Sequence, residues 1–433
     1  MSTVETLSGL QRRLNAVIPQ TMIRTEVESR LKRLGRTAKV HGFRPGKVPF
    51  KVLEQQYGQS VQQEVLGDSL QRSFAEAAVT NKLQVAGYPQ FEIKTADLNA
   101  EQIEFSATFE VYPEVVIGSV SGESVTRTTF NLSDADVTDT LNTLRKQRAE
   151  FKPTPRAAQK DDQVKLDFLG MLDGVKFEGG EAKDFTVVPG AGRMLPEFEA
   201  AVVGVKAGDV KSFNMTFPAD YHGKDVAGKE VTFTLTVHAV EEPILPEVNA
   251  EFAKAMGVVD GDVEKLKQEI RDNIGREAQR RVKVRNKDYA MEVLLKVSQL
   301  DVPKALLDSE SQRLMEQTLH DMGERGMKIP QGMKLPIDMF AERATKRVKL
   351  GLILSELVKQ HELAAKPEQV TALIEEYALS FERPQEVRNW YHADANRMRE
   401  VENLVLEENV VAWVMAGAKV TDQALALNEL MGD

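Results

Sequence analysis

The chain has 433 residues, a length that corresponds to about three domains and suffices for full hydrophobic cores. Hydrophobic residues make up 42% and charged residues 28%, a globular composition, and the lack of any cysteine excludes disulfide scaffolds, thiolate metal centres and thiol catalysis. The net charge of −10 argues against wholesale binding to nucleic acid, yet residues 24–51 hold nine basic side chains against two acidic ones, a local +7 that leaves −17 on the rest and points to one anionic partner.

Residues 1–112 read as an α+β unit. Leu10, Arg12, Leu14 and Ala16 predict a strand that ends before Pro19. Ile23, Val27, Leu31 and Leu34 recur at helical spacing, with Glu26/Arg30 and Glu28/Lys32 as i,i+4 pairs on a solvated face and Gly35 as the stop. The unpaired basic surplus follows in residues 39–49, KVHGFRPGKVP, where two Gly and two Pro predict a loop. Helix is expected through about Thr80, then strands over 90–94 and 102–111.

Residues 113–150 read as a connector, with a helix starting at Ser133-Asp-Ala-Asp136 and carrying Val137, Leu141 and Leu144 on one face. Residues 160–242 are β-rich. Val164, Leu166 and Phe168 alternate with polar neighbours, as do Phe213, Met215 and Phe217 and the run Val231, Phe233, Leu235, Val237. Residues 246–433 predict helices nearly throughout. Asp262 caps a helix carrying Val263, Leu266, Ile270 and Ile274, and Pro303 opens another. A Gly/Pro/Met loop spans 323–336, and further helices run from Met339 and around Val401 to Trp413. Their dense charge and narrow apolar faces suit extended arms.

Catalytic motifs are mostly missing. Residues 223–229, GKDVAGK, have phosphate-loop spacing, but Glu230 stands where Ser or Thr must hold magnesium, and a strand pattern follows instead of a helix. His41, His222, His238, His320, His361 and His392 form no metal-binding pair, and there is no G-x-S-x-G elbow. No cofactor and no metal are expected. The chain opens without a charged and then apolar leader and contains no run of 18 apolar residues, so a cytoplasmic location without membrane contact is expected.

Six aromatics, Phe168, Phe177, Phe185, Phe198, Tyr221 and Phe233, crowd the β region. By composition alone they are filler for a small core. Their setting adds more: residues 164–170, Phe177-Glu-Gly-Gly180, Phe185, Pro189-Gly190, Arg193-Met-Leu-Pro196, Phe198-Glu199, Tyr221 and Gly228-Lys229 before residues 231–237. In order and spacing this resembles the FKBP-type peptidyl-prolyl isomerase domain. The resemblance implies a pocket for a proline ring lined by Phe168, Phe177, Phe185, Met194, Leu195, Phe198, Tyr221 and Phe233. It departs at Glu197, where the family usually has Gly, and at Glu178, where small members have Asp. The chemistry suits such a lining. Amide resonance opposes rotation by about 18–20 kcal/mol. The twisted transition state separates less charge, so a dry, shaped, apolar pocket favours it without acid, base or metal.

Gly42-Phe43-Arg44-Pro45-Gly46-Lys47-Val48-Pro49 matches the G-F-R-x-G-x-x-P signature of the bacterial trigger factor family. The resemblance implies that Gly42, Phe43, Arg44, Pro45, Gly46, Lys47 and Pro49 dock beside the polypeptide exit tunnel of the large ribosomal subunit, on ribosomal protein and rRNA. The residue types agree: Gly and Pro shape an exposed tip, Arg44 and Lys47 meet phosphate or carboxylate, and Phe43 is an apolar anchor. Family members often have a basic residue at the position of Pro45.

The resemblance covers essentially the whole chain and implies a multidomain α+β protein. Its parts are an α+β N-terminal ribosome-docking domain (1–112), a connector (113–150) packed with the C-terminal domain, a small FKBP-like antiparallel β domain with a short helix (151–245), and an extended all-α C-terminal domain with arms (246–433). The implied function is an ATP-independent chaperone that holds nascent and unfolded polypeptides at the ribosome and isomerises Xaa-Pro bonds, with a homodimer as one state of the free chain. The alternative is a cytosolic holdase and isomerase working off the ribosome. The client surface would be the apolar stripes and Met-rich segments of the helical domain, including Met315, Met322, Met327, Met333 and Met339.

Overall fold

The structure is a computed structural model and describes residues 2–41, 43, 46–95, 100–221, 223–327, 330 and 332–432. The N-terminal region comprises β1 (Thr3–Ser8), β2 (Gln11–Pro19), α1 (Gln20–Leu34), α2 (Phe50–Thr80), β3 (Val85–Ile93) and β4 (Gln102–Val111). Its antiparallel sheet has the order β1-β2-β4-β3. Alternate residues of β2 (Leu14, Ala16, Ile18) and of β4 (Ile103, Phe105, Ala107, Phe109) bury against Val65, Leu70 and Phe74 of α2. Each large side chain so buried stabilises the unit by about 1.5–3 kcal/mol.

Two local features differ from expectation. Strand β1 has almost no buried face, so no alternation announces it; backbone pairing with β2 holds it as an edge. Gly35 does end α1, but in the right-handed conformation (φ −58°). A Cβ there would stand 2.6 Å from Leu53 Cδ1, so this glycine serves close packing rather than a left-handed turn.

Next come β5 (Val116–Ile117), β6 (Ser124–Thr129) and α3 (Asp134–Gln147). Helix α3 starts in a capping box: Asp136 N–H donates to Ser133 Oγ (3.3 Å) and Ser133 N–H to Asp136 Oδ2 (2.8 Å). Strands β7 (Glu150–Pro153), β8 (Gln163–Leu172) and β9 (Val175–Val187), helix α4 (Pro196–Val202), and strands β10 (Val210–Thr216) and β11 (Glu230–Ile244) follow. The sheet runs β10-β11-β8-β9, antiparallel throughout, with β7 on the far end of β11. Glu230 begins β11, so a strand does follow Lys229.

Immediately before β8, Asp162, 1% exposed, receives both Arg156 Nη2 (2.8 Å) and the Gln159 N–H (2.7 Å). Burial raises the Asp162 pKa, but these bonds outweigh it and hold the group below its ordinary value. A carboxylate depressed on folding contributes stability above its unfolded pKa and loses it as pH falls. The unfolding midpoint of Asp162→Asn should therefore lie below that of the parent at pH 7, with the gap closing below about pH 4. Calorimetry across pH checks this, and a gap that does not narrow as pH falls below about 4 would refute it.

The remainder comprises α5 (Ala250–Ala255), α6 (Val263–Val297), β12 (Ser298–Gln299), α7 (Lys304–Glu324), α8 (Ala341–His361), α9 (Pro367–Ala378), α10 (Pro384–His392), α11 (Ala395–Gly417), β13 (Lys419–Ala424) and α12 (Leu427–Met431). Asp262 Oδ1 accepts the Glu264 N–H at 2.8 Å, as its capping assignment requires. Residues 337–340 form a 3-10 turn ahead of α8 rather than its first turn. The short pairs β12 with β5 and β13 with β6 have no periodic signal in the sequence.

Packing divides the chain into two compact units, residues 1–128 with 284–423 and residues 129–283 with 424–433. In the first, Val120 and Val125 pack with Leu294, Ile353, Leu357 and Val414. There too the α7 residue Ala305 donates its N–H to Glu110 Oε2 of β4 (2.8 Å), and a Cβ on Gly87 would stand 2.4 Å from Ala305 Cβ. In the second, Val137 and Leu141 of α3 pack with Phe252, Leu266, Ile270 and Ile274. Among the described residues no helix is long and apolar enough to cross a membrane.

Candidate functional site

An open cleft of about 610 Å³ lies on the β8–β11 sheet against α4. Inward positions of β8 and β11 supply Phe168 and Phe233, β9 supplies Phe177, and α4 with its preceding loop supplies Met194, Leu195 and Phe198. Tyr221 closes one end, 4.6 Å ring to ring from Phe217. Seven of the eight residues expected in the lining thus share one cleft. Phe185 stands off its wall and packs edge-on behind Phe168 at 5.3 Å.

Phe233 is the hub, with ring centroids 5.5 Å from Phe198, 6.0 Å from Phe168 and 6.2 Å from Phe177. These edge-to-face pairs fix each ring by its neighbours. Sequence reasoning omitted Met215, Phe217 and Val226 from the lining; Met215 and Phe217 read as alternating strand residues, Val226 sits in the turn before β11, and all three are buried in the same core. Glu178 and Arg193 give the cleft its charged groups, and both are exposed.

Two glycines shape the aromatic wall. A Cβ on Gly170 would stand 2.7 Å from Phe233 and 2.8 Å from Phe177, and one on Gly180 would stand 2.8 Å from Phe177. Phe177 therefore occupies a slot that only glycines leave open. Gly170→Ala should displace Phe177 and lower turnover of a prolyl peptide by about tenfold, since misplacing a lining group by about 1 Å has effects of this order or larger. Unchanged turnover would show that the slot is not critical.

Glu197 fits without strain. It lies in the first turn of α4, where a negative charge suits the helix N-terminus, and its backbone is not left-handed. Glu199, in the same turn, is nearly buried, and its carboxylate accepts the N–H groups of Gly190 (2.8 Å), Arg193 (3.0 Å) and Met194 (3.2 Å).

For a metal, one group among the described residues brings three potential ligand atoms within 4.8 Å of one another: Asp167, Asp184 and His238. It lies outside the cleft lining and is already engaged internally, His238 Nε2 on Asp167 Oδ1 and the Asp184 N–H on the same oxygen, both at 2.8 Å. His222 lies outside the described residues.

The second candidate is the basic loop. Gly42, Arg44 and Pro45 lie outside the described residues; Phe43, Gly46, Lys47 and Pro49 are described and exposed. Phe43, 40% exposed, donates its N–H to Val40 O (3.1 Å), and Gly46, at φ +80°, donates to Gly35 O (3.2 Å). Ala38, Val40 and Leu53 anchor the base in a small core, and Pro49 caps α2. The charge divides as the i,i+4 spacing predicts. Arg30 binds Glu26 (3.1 Å), and also Glu64 and Asp68 of α2; Lys32 binds Glu28 (3.2 Å). Arg33, Arg36, Lys39 and Lys47 are exposed and pair with no acidic group among the described residues.

Residues 1–144 match the family model described as bacterial trigger factor protein, residues 262–416 its C-terminus, and residues 154–238 the FKBP-type peptidyl-prolyl cis-trans isomerase. The trigger factor of Nitrosospira multiformis is 51% identical over 432 residues, covering 100% of this chain and 99% of its own. That of Laribacter hongkongensis is 49% identical over 431 residues, and that of Thiobacillus denitrificans 50% over 429, each covering 99% of both chains.

Proposed function

The chain belongs to the bacterial trigger factor family, and from that premise we propose how its parts divide the work. The protein is a ribosome-associated chaperone with an FKBP-type peptidyl-prolyl isomerase domain. The proposed domains are residues 1–112 for docking, 151–245 for isomerisation and 246–433, with the 113–150 connector, for holding clients.

The aromatic cleft takes the proline ring of an Xaa-Pro segment. Phe168, Phe177, Phe198 and Phe233 form its floor and wall, Met194, Leu195 and Tyr221 its rim, and Phe185 supports Phe168 from behind. Water-free contact lowers the polarity around the amide, where the twisted form is favoured over the planar one. The lining supplies shape and dryness rather than proton transfer. The observation that carries this reading is the convergence of seven expected residues, from five separated segments, on one cleft.

The loop of Gly42, Phe43, Arg44, Pro45, Gly46, Lys47 and Pro49 is the proposed contact with the large ribosomal subunit beside the exit tunnel. Its support is an exposed Phe43 next to cations that no described acid neutralises. Client segments would lie on exposed apolar positions of the helical region. Met327, Met333 and Met339 are exposed and available, whereas Met315 is buried in a core with Leu314 and Phe340. The location is proposed to be cytoplasmic, and a homodimer is proposed for the free chain. Paired assays of ribosome co-sedimentation and peptide isomerisation test this reading. A protein that isomerises but never sediments would favour the off-ribosome alternative.

A further inference from the structure

Glu199 is an unusual charge to find beside an apolar cleft. It is 9% exposed, and among the described residues no basic side chain is bonded to it; its three partners there are backbone N–H groups. Those groups come from a loop that makes little structure of its own. Gly190 and Gly192 both have left-handed backbones (φ +91° and +66°), and the few bonds that tie the loop are local or at its base, such as Ala191 N–H to Val188 O. Consecutive amides turned toward one point make a concavity that attracts an anion. Here the chain supplies the anion itself, from the first turn of α4. One carboxylate oxygen takes Gly190, and the other takes Arg193 and Met194. Charge-assisted bonds of this kind are about twice as strong as neutral ones, which offsets the cost of burying the carboxylate.

The loop leads directly into the cleft: Gly192, Arg193, Met194 and Leu195 all line it. We propose that Glu199 is a positioning residue for isomerisation, an internal anion that holds this loop in the one arrangement that presents Met194 and Leu195 to the proline ring. The inference rests on the proline-cleft reading above. A glutamine at 199 keeps shape and size but turns an NH2 donor toward backbone N–H donors. The loop would then leave its bound arrangement for part of the time. When only a fraction of molecules is competent to bind, apparent affinity falls by that fraction while the saturated complex behaves as before.

The kinetics therefore separate positioning from general damage. For Glu199→Gln, in the full chain and with a proline-containing peptide, KM should rise by about tenfold while kcat stays within about twofold, as partial competence requires. Hydrogen exchange should quicken at the amides of Gly190, Arg193 and Met194 and stay slow across residues 231–237. A fall in kcat at unchanged KM, with lost protection across those strand amides, would mean a merely structural role and overturn the proposal. So would unchanged kinetics. If Glu199→Gln does not fold, Gly190→Ala strains the same loop at its other end, because φ +91° is a backbone that an L side chain rarely adopts. An unchanged KM in that folded variant overturns the proposal equally. Phe177→Ala is the control: if it too leaves isomerisation intact, the cleft reading has failed, and not the role of Glu199 alone.

Discussion

Replacing Phe43, Arg44 and Lys47 together with alanine should abolish co-sedimentation with ribosomes and leave peptide isomerisation at the parental rate. Anchors of these types are each worth about 2 kcal/mol or more at interface centres, so losing three should weaken binding by on the order of ten-thousandfold. The structure explains why the loss should be clean. The side chains of Phe43 and Lys47 face solvent, while Ala38, Val40 and Leu53 hold the loop base without them. The pairs of Arg30 and Lys32 with their acidic partners are untouched. Docking by the remaining cations alone would be weak and steeply salt-dependent. Sedimentation equal to that of the parent at moderate salt would reject the docking assignment.

The second large effect is expected at Phe198. Its ring is 2% exposed and makes edge-to-face contacts with Phe168 (5.6 Å), Phe213 (5.8 Å) and Phe233 (5.5 Å). Phe198→Ala should lower kcat/KM for a prolyl peptide by about a hundredfold, as expected when shape fit to the transition state is lost. The same change opens a cavity costing about 3–5 kcal/mol, so stability must be measured beside activity. Met194→Ala separates the two, because Met194 is only half-buried yet lines the cleft. It should lower kcat/KM with a much smaller shift in the unfolding midpoint. Protection of a proline-free client during refolding should survive both changes; loss of both activities together would show that holding and isomerisation are not separable.

Much of this is legible in the sequence itself. The alternation of Val164, Leu166 and Phe168 and the helical spacing of Ile23, Val27 and Leu31 record burial directly, because one face of each element meets a core. The capping box at Ser133 and the cap at Asp262 are local chemistry and were equally plain. What escaped depends on partners distant in sequence. Strand β1 exists because β2 offers it an edge, and β12 and β13 because β5 and β6 offer them one. Met215, Phe217 and Val226 reach the cleft only after the sheet folds against α4. Glu199 stood beside Phe198 in the resemblance without a role of its own, and the convergence of three amides on it is what the sequence could not show.

The bond from Ala305 to Glu110 has a consequence for heredity. The first turn of α7 is finished by a side chain nearly two hundred positions earlier in the chain, and the methyl of Ala305 sits in the space that Gly87 leaves vacant. Three codons far apart in the gene therefore describe one joint. A mutation that enlarges residue 305 is tolerated only where the sheet also yields. Recombination that exchanges the N-terminal segment between diverged relatives would separate the two halves of that joint, leaving a sound module at each end and a misfit where they meet.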